Sequence, residues 1–214
     1  MTRTYRWVVF LLAAFYCLYM LATGPWNGFG GPFRYLTVWA LFASFFCASR
    51  MMALEEGRSV RRWDGAVSMT AVLNAMVVLL FWRLYFADPT SVTRNGQLGQ
   101  PWLEFYLHGV GPLLQGIDAV FIHRSFRAPR VAMVWLVGVV SVYVLWIEGP
   151  VQTLNDSPPG VVTSGLPYRF LNDLPFDDRV AFYVTNVAVA VLALGGLTVL
   201  AWLVRRRHPA KATP

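Results

Sequence analysis

The chain has 214 residues, of which 57% are hydrophobic, 15% aromatic and only 14% charged, with a mean hydropathy of +0.49. That composition excludes a soluble globular domain and a disordered chain, and implies a membrane protein. The formal charge of +7 comes from arginines at the ends of apolar segments, a pattern of membrane topology and anionic-lipid attraction rather than of a nucleic-acid interface.

An apolar run of roughly 20 residues crosses a hydrocarbon core about 30 Å thick. Six such runs are predicted: Trp7 to Thr23, Tyr35 to Leu54, Ala66 to Ala87, Trp102 to Ile122, Val131 to Glu148 and Val180 to Val204. The first follows Arg3 and Arg6 and has the make-up of a signal peptide, with Ala22-Thr23-Gly24 after it. Cleavage would put the two ends on opposite sides, so it is read as the first helix. Cys17 and Cys47, in the first two runs, are expected to be packing residues, with no disulfide or metal site between them.

The second run opens in GGPFRYLTVWALFASFF, where Gly28, Gly30 and Gly31 are loop residues with no phosphate-binding strand before them. Thr37 lies two or three residues in, roughly 4 Å deep. From it a mostly small stripe runs through Ala40, Leu41, Ser44, Cys47 and Ala48, suited to close helix packing. Trp39, Phe42, Phe45 and Phe46 gather elsewhere and are expected to meet lipid. Asn74, in the third run, reads as an interhelical hydrogen-bonding residue.

The fourth run, WLEFYLHGVGPLLQGIDAVF, carries the only histidine inside an apolar segment, His108. An ionisable ring at that depth is a functional-site hypothesis by default. It sits about six residues in, roughly 9 Å deep and in the same leaflet as Thr37. Its helical face carries Glu104, Gly111, Pro112, Gln115 and Ala119. Asp118, ten residues on, is roughly 15 Å deeper and turned away by about 80°, so it is expected to pair with Arg124 instead.

Between the fifth and sixth runs, Gly149 to Arg179 begins with turn residues, Asn155 to Gly160, and continues as GLPYRFLNDLPFDD. That stretch is too short and too broken by proline to span, and reads as an outer lid that includes Tyr168, Phe170 and Asp173. Asn186 enters the last run at the depth of His108, either as an oxyanion donor or as a helix-to-helix hydrogen bond.

With six spans, Arg3, Arg6, Arg50, Arg58, Arg61, Arg62, Arg124, Arg127, Arg130, Arg205, Arg206, Arg207 and Lys211 share one side, while Arg34, Arg83, Arg94, Arg169 and Arg179 lie at or near the other. The expected fold is an all-α six-transmembrane-helix bundle with both termini cytoplasmic. It forms a single polytopic membrane domain over residues 1–214 with a short basic tail at 205–214. Arg6, Arg50 and Arg83 are placed to snorkel, and Trp7, Trp82, Trp102, Trp146 and Trp202 to form aromatic belts.

Three histidines, only one of them at bilayer depth, do not suit a bis-histidine haem or a three-ligand zinc site, so no cofactor and no metal are expected. Two readings stand for the remaining polar pair. Thr37 is a nucleophile with His108 as its base, a role in which Glu104, Asn186, Gln115 and Asp118 are candidate supporting residues. Alternatively, Thr37 bonds its own helix and His108 joins two helices. A non-catalytic lipid- or partner-binding protein, a small transporter with a polar path through Asp118, Gln115 and Asn74, and an acyltransferase are the rival functions.

FRYLTVW, HGVGPLLQGID, Tyr143-Val144-Leu145-Trp146 and LPYRFLNDLP, in this order, resemble the family of androgen-induced protein and androgen-dependent TFPI-regulating protein, whose bacterial relatives are small six-pass membrane proteins. The resemblance implies an intramembrane hydrolase of fatty acid esters of hydroxy fatty acids, with Thr37 and His108 as its catalytic pair and membrane lipids or a lipid ester as its partner. It aligns Asp118 with the family's acidic position and Tyr168 to Asp173 with its outer segment. Arg169 stands where relatives often have proline, and Val38, Trp39 and Ala40 replace polar residues common in bacterial relatives. A bacterial plasma membrane is the expected location.

Overall fold

The computed structural model describes residues 2–93, 95–156 and 163–207. Arg94, the turn positions Ser157 to Gly160, and the tail from His208 on, Lys211 included, lie outside the described residues.

Among the described residues, six helices are long and apolar enough to cross a membrane: α1 (Thr2–Thr23), α2 (Leu36–Glu55), α3 (Asp64–Ala87), α4 (Pro101–Ile122), α5 (Pro129–Leu154) and α6 (Phe176–Arg207). Among the described residues there is no strand. Every predicted run is present, but the first helix starts earlier than its apolar core, at Thr2, and the last two also run beyond theirs. α5 continues past Glu148 because a π turn at Ile147–Val151 takes up Pro150, which lacks the N–H of a regular turn. Polar ends extend α6: Asp177 and Asp178 sit in its first turn and Arg205 to Arg207 in its last, each opposing the local end of the helix dipole.

α3 is apolar all round, as suits a central helix. Some 72% of its apolar window is buried, against 17% for α6. It packs on α2, α4, α5 and α6, while α1 closes over α2 and α4. The small stripe of α2 is interior as expected, with Ala40, Ser44, Cys47 and Ala48 all buried. Asn74 Nδ2 donates to Ser44 Oγ at 2.8 Å, and that hydroxyl donates to the Ala40 carbonyl at 2.8 Å, a link worth about 0.6–2 kcal/mol inside a bilayer.

The bulky side of α2 departs from expectation. Trp39 packs edge-on against Tyr143 of α5 and Phe45 stacks on Phe10 of α1, whereas Phe46 stays exposed. A helix with neighbours on both flanks buries large side chains as well as small ones.

Two charge expectations are corrected. Arg6 does not snorkel: it is 6% exposed and bonded to Glu55 at 2.7 Å and Asp118 at 3.3 Å. Asp118 therefore pairs with Arg6 rather than Arg124. A π turn at Asp118–Ile122 ends α4 with Asp118 facing α1, while Arg124, in a left-handed conformation (φ 56°), donates to the Phe121 carbonyl of its own segment. Arg62 donates to the His123 carbonyl at 2.7 Å. With the Arg6–Glu55 pair, this gathers the start of α1, the α2–α3 loop and the α4–α5 loop at one end of the bundle.

At the opposite end the α5–α6 connection folds back over the helices around Asn172. Its Oδ1 accepts from the Leu166 N–H at 3.0 Å, and its Nδ2 donates to the Leu166 and Tyr168 carbonyls at 3.0 and 3.3 Å. The short helix Arg169–Asn172 then inserts Leu171, 1% exposed. At Gly165 the chain crosses so close to the Gln152 carbonyl of α5 that any side chain would collide with it.

Candidate active site

Pro112 shapes α4. Four residues after His108, it cannot donate to the His108 carbonyl, and its ring crowds that oxygen. The helix answers with a π turn at Tyr106–Val110, in which His108 leaves helical geometry (φ −110°, ψ 17°). Its freed carbonyl accepts instead from Trp82 Nε1 of α3 at 2.8 Å. The imidazole lies flat on Phe81, with ring centroids 3.5 Å apart and planes 4° from parallel. Glu104 Oε2 is 3.1 Å from Nδ1, in ion-pair range but off the line of a hydrogen bond.

On α2, Thr37 is the second helical residue and Tyr35 before it is extended (φ −101°, ψ 129°). A 3-10 turn at Gly31–Arg34 precedes it, but the chain turns extended at Tyr35, so the Thr37 hydroxyl has no i−4 carbonyl within its own helix to bond. Nearby acceptors are also engaged. The Phe33 carbonyl accepts from Trp39 Nε1 at 2.8 Å and Trp146 Nε1 at 3.1 Å, and the Arg34 carbonyl accepts from Tyr143 at 3.0 Å. Thr37 Oγ1 lies 3.3 Å from His108 Nε2.

Both side chains line a cavity of about 340 Å³ between α2, α3, α4, α5 and α6. Its walls are mainly Leu, Val, Met and Phe side chains, with Glu104, Tyr143, Tyr183 and Asn186 among the polar ones, and Tyr168 and Phe170 of the α5–α6 connection also line it. Thr37, His108 and Glu104 thus come together, with Asn186, Tyr168 and Phe170 around the same space. Asn186, on the cavity wall, donates one Nδ2 hydrogen to the Phe182 carbonyl of its own helix at 2.8 Å. Gln115 lines a second, smaller cavity on the far side of Thr37. Asp118 lines neither cavity, and Asp173 is exposed at the edge of the lid.

A model of the FAR-17a/AIG1-like protein family matches residues 2–201. The chain belongs to this family. That is the androgen-induced protein group which the FRYLTVW and HGVGPLLQGID segments resemble, and the match extends through all six helices. No curated protein and no solved structure matches the chain.

In this FAR-17a/AIG1-like protein, several residues around the site carried no signal on their own. Trp82 read as a belt aromatic and Phe81 drew no reading, yet they hold the carbonyl and the ring of His108. Trp146, also placed in a belt, anchors the segment before Thr37. Arg179, read as a loop-end charge, is 2% exposed and bonds Glu148 at 3.0 and 3.2 Å, while the Tyr183 hydroxyl donates to Glu148 at 2.6 Å. The one legible clue was Pro112, whose spacing from His108 predicts an orphaned carbonyl.

Proposed function

We propose that the protein is an intramembrane hydrolase of lipid esters, with Thr37 as nucleophile and His108 as general base. The observation that carries this reading is the 3.3 Å approach of Thr37 Oγ1 to His108 Nε2 on the wall of an apolar cavity of about 340 Å³. A hydroxyl within reach of an imidazole is the arrangement of an activated alcohol nucleophile. The cavity is large enough for a lipid chain and too apolar to favour a hydrophilic substrate.

A lipid ester enters sideways from the bilayer and places its carbonyl beside Thr37. The hydroxyl adds to the carbonyl carbon as its proton passes to Nε2, and Glu104 stabilises the resulting imidazolium from the Nδ1 side. The positive end of the α2 dipole, beside Thr37, favours the developing oxyanion. As the tetrahedral intermediate collapses, the C–O bond to the alcohol breaks and His108 returns its proton to that leaving group. Water then cleaves the acyl-threonine, releasing the acid and restoring Thr37. Family resemblance narrows the substrate to fatty acid esters of hydroxy fatty acids, and a bacterial plasma membrane would supply them.

Purified wild type, Thr37→Ala and His108→Ala are compared in lipid vesicles with a fluorogenic long-chain ester and a fluorophosphonate probe. Turnover and labelling are expected from the wild type, with activity lower by on the order of 10³-fold or more in either variant. Equal turnover in all three would overturn the roles given to Thr37 and His108, and no turnover in any would leave a lipid-binding protein without chemistry.

A further inference from the structure

Hydrolysis needs water beside a nucleophile whose own cavity is lined mainly by apolar side chains and would be filled by a lipid chain. The smaller cavity behind Thr37 meets that need. It has a volume of about 20 Å³, enough for a single water. Thr37, Ser44, Asn74 and Gln115 bring polar groups into a wall that is otherwise mainly apolar. Gln115 is 2% exposed and its Nε2 has no hydrogen-bond partner. A buried amide N–H without an acceptor is costly, and a water with two to four polar neighbours is the usual remedy. Thr37 and Leu107 are the two side chains that wall both cavities, so a molecule held here is separated from the substrate space by the nucleophile itself.

We propose that this cavity is a water site and that Gln115 positions there the water that hydrolyses the acyl-threonine, an inference that rests on the hydrolase reading above. After the alcohol leaves, the water oxygen attacks the acyl carbon and gives one proton to His108 Nε2. The bond from that carbon to Thr37 Oγ breaks, Nε2 returns the proton to Oγ, and a free carboxylic acid departs. Added alcohols do not use this site, because they enter through the lipid cavity.

The experiment measures the partition of the acyl group between water and an added short alcohol, in full-length protein in vesicles, alongside quenched-sample mass spectrometry for acyl-Thr37. Gln115→Met fills the site with an apolar chain of similar size, while Gln115→Asn keeps the amide. In Gln115→Met the ratio of transesterification to hydrolysis is expected to rise on the order of tenfold or more, with acyl-Thr37 accumulating. In Gln115→Asn the ratio stays within about twofold of wild type, because the amide still binds water. Each ratio is taken within one preparation, so it does not depend on how much of a variant is folded. An unchanged ratio in Gln115→Met overturns the proposal and leaves the hydrolase reading intact. Absence of acyl-Thr37 and of both products in the wild type overturns the two together.

Discussion

His108 takes its geometry from three helices. Pro112 on its own helix removes the regular donor to its carbonyl, Trp82 of α3 replaces that donor, and Phe81 supports the ring face. Glu104 stands 3.1 Å from Nδ1. If that carboxylate stabilises the imidazolium, Glu104→Gln lowers kcat by on the order of 10- to 100-fold while KM changes little, as steady-state kinetics on the fluorogenic ester would show. Tyr168, in the lid outside the spanning helices, accepts from the Leu36 N–H at 3.3 Å, and burial pushes its hydroxyl up to about 12. The folded value is raised above the unfolded one of about 10, so the stability this group contributes is intact below pH 10 and is lost as pH rises towards 12. Melting curves of wild type and Tyr168→Phe should therefore run parallel below pH 10 and diverge above it, the wild type losing more. Residue types were legible in the sequence for Thr37 and His108, because polar residues inside apolar helices are conspicuous. Phe81, Trp82 and Trp146 were not, since an aromatic that supports a site has the same local pattern as one that faces lipid.

At the scale of elements, the irregular turns of α4 and α5 follow from single prolines. Pro112→Ala should restore a continuous ladder through Tyr106–Val110, removing a residue about 3 kcal/mol less favourable than Ala in a helix interior. It should also withdraw His108 from Thr37. Thermal stability is expected to rise while esterase turnover falls by about tenfold or more, and a loss of both would contradict this account. The Glu148–Arg179 pair joins the end of α5 to the start of α6 beneath the lid. Arg179→Met leaves Glu148 buried without its cation, a change expected to destabilise by about 3–5 kcal/mol, measurable by denaturation in detergent micelles. A combined Glu148→Leu and Arg179→Met variant should recover part of that loss, since the buried charge is then gone. Helix positions were readable from run length alone. Their ends were less so, because dipole-matched polar residues and a π turn carried α6 and α5 beyond their apolar cores.

For the whole molecule, α3 is the axis around which the other helices arrange, with the cavity at one end of the bundle and the Arg6–Glu55–Asp118 cluster at the other. Gly165→Val, where the lid crosses the α5 backbone, should lift the lid without disturbing the helices. Far-ultraviolet circular dichroism would then be unchanged, while proteolysis in the 163–175 segment becomes faster. Sequence by itself determined the class of the molecule, the number of its apolar helices, its family and the positions of Thr37 and His108 along their helices, because hydropathy and helical rise are properties of the chain read in one dimension. Only the tertiary structure decided that the two side chains meet, that Asp118 answers Arg6, and that Gln115 borders a small cavity behind the nucleophile. Those outcomes depend on how each helix is rotated about its own axis, and that rotation is set by packing against its neighbours.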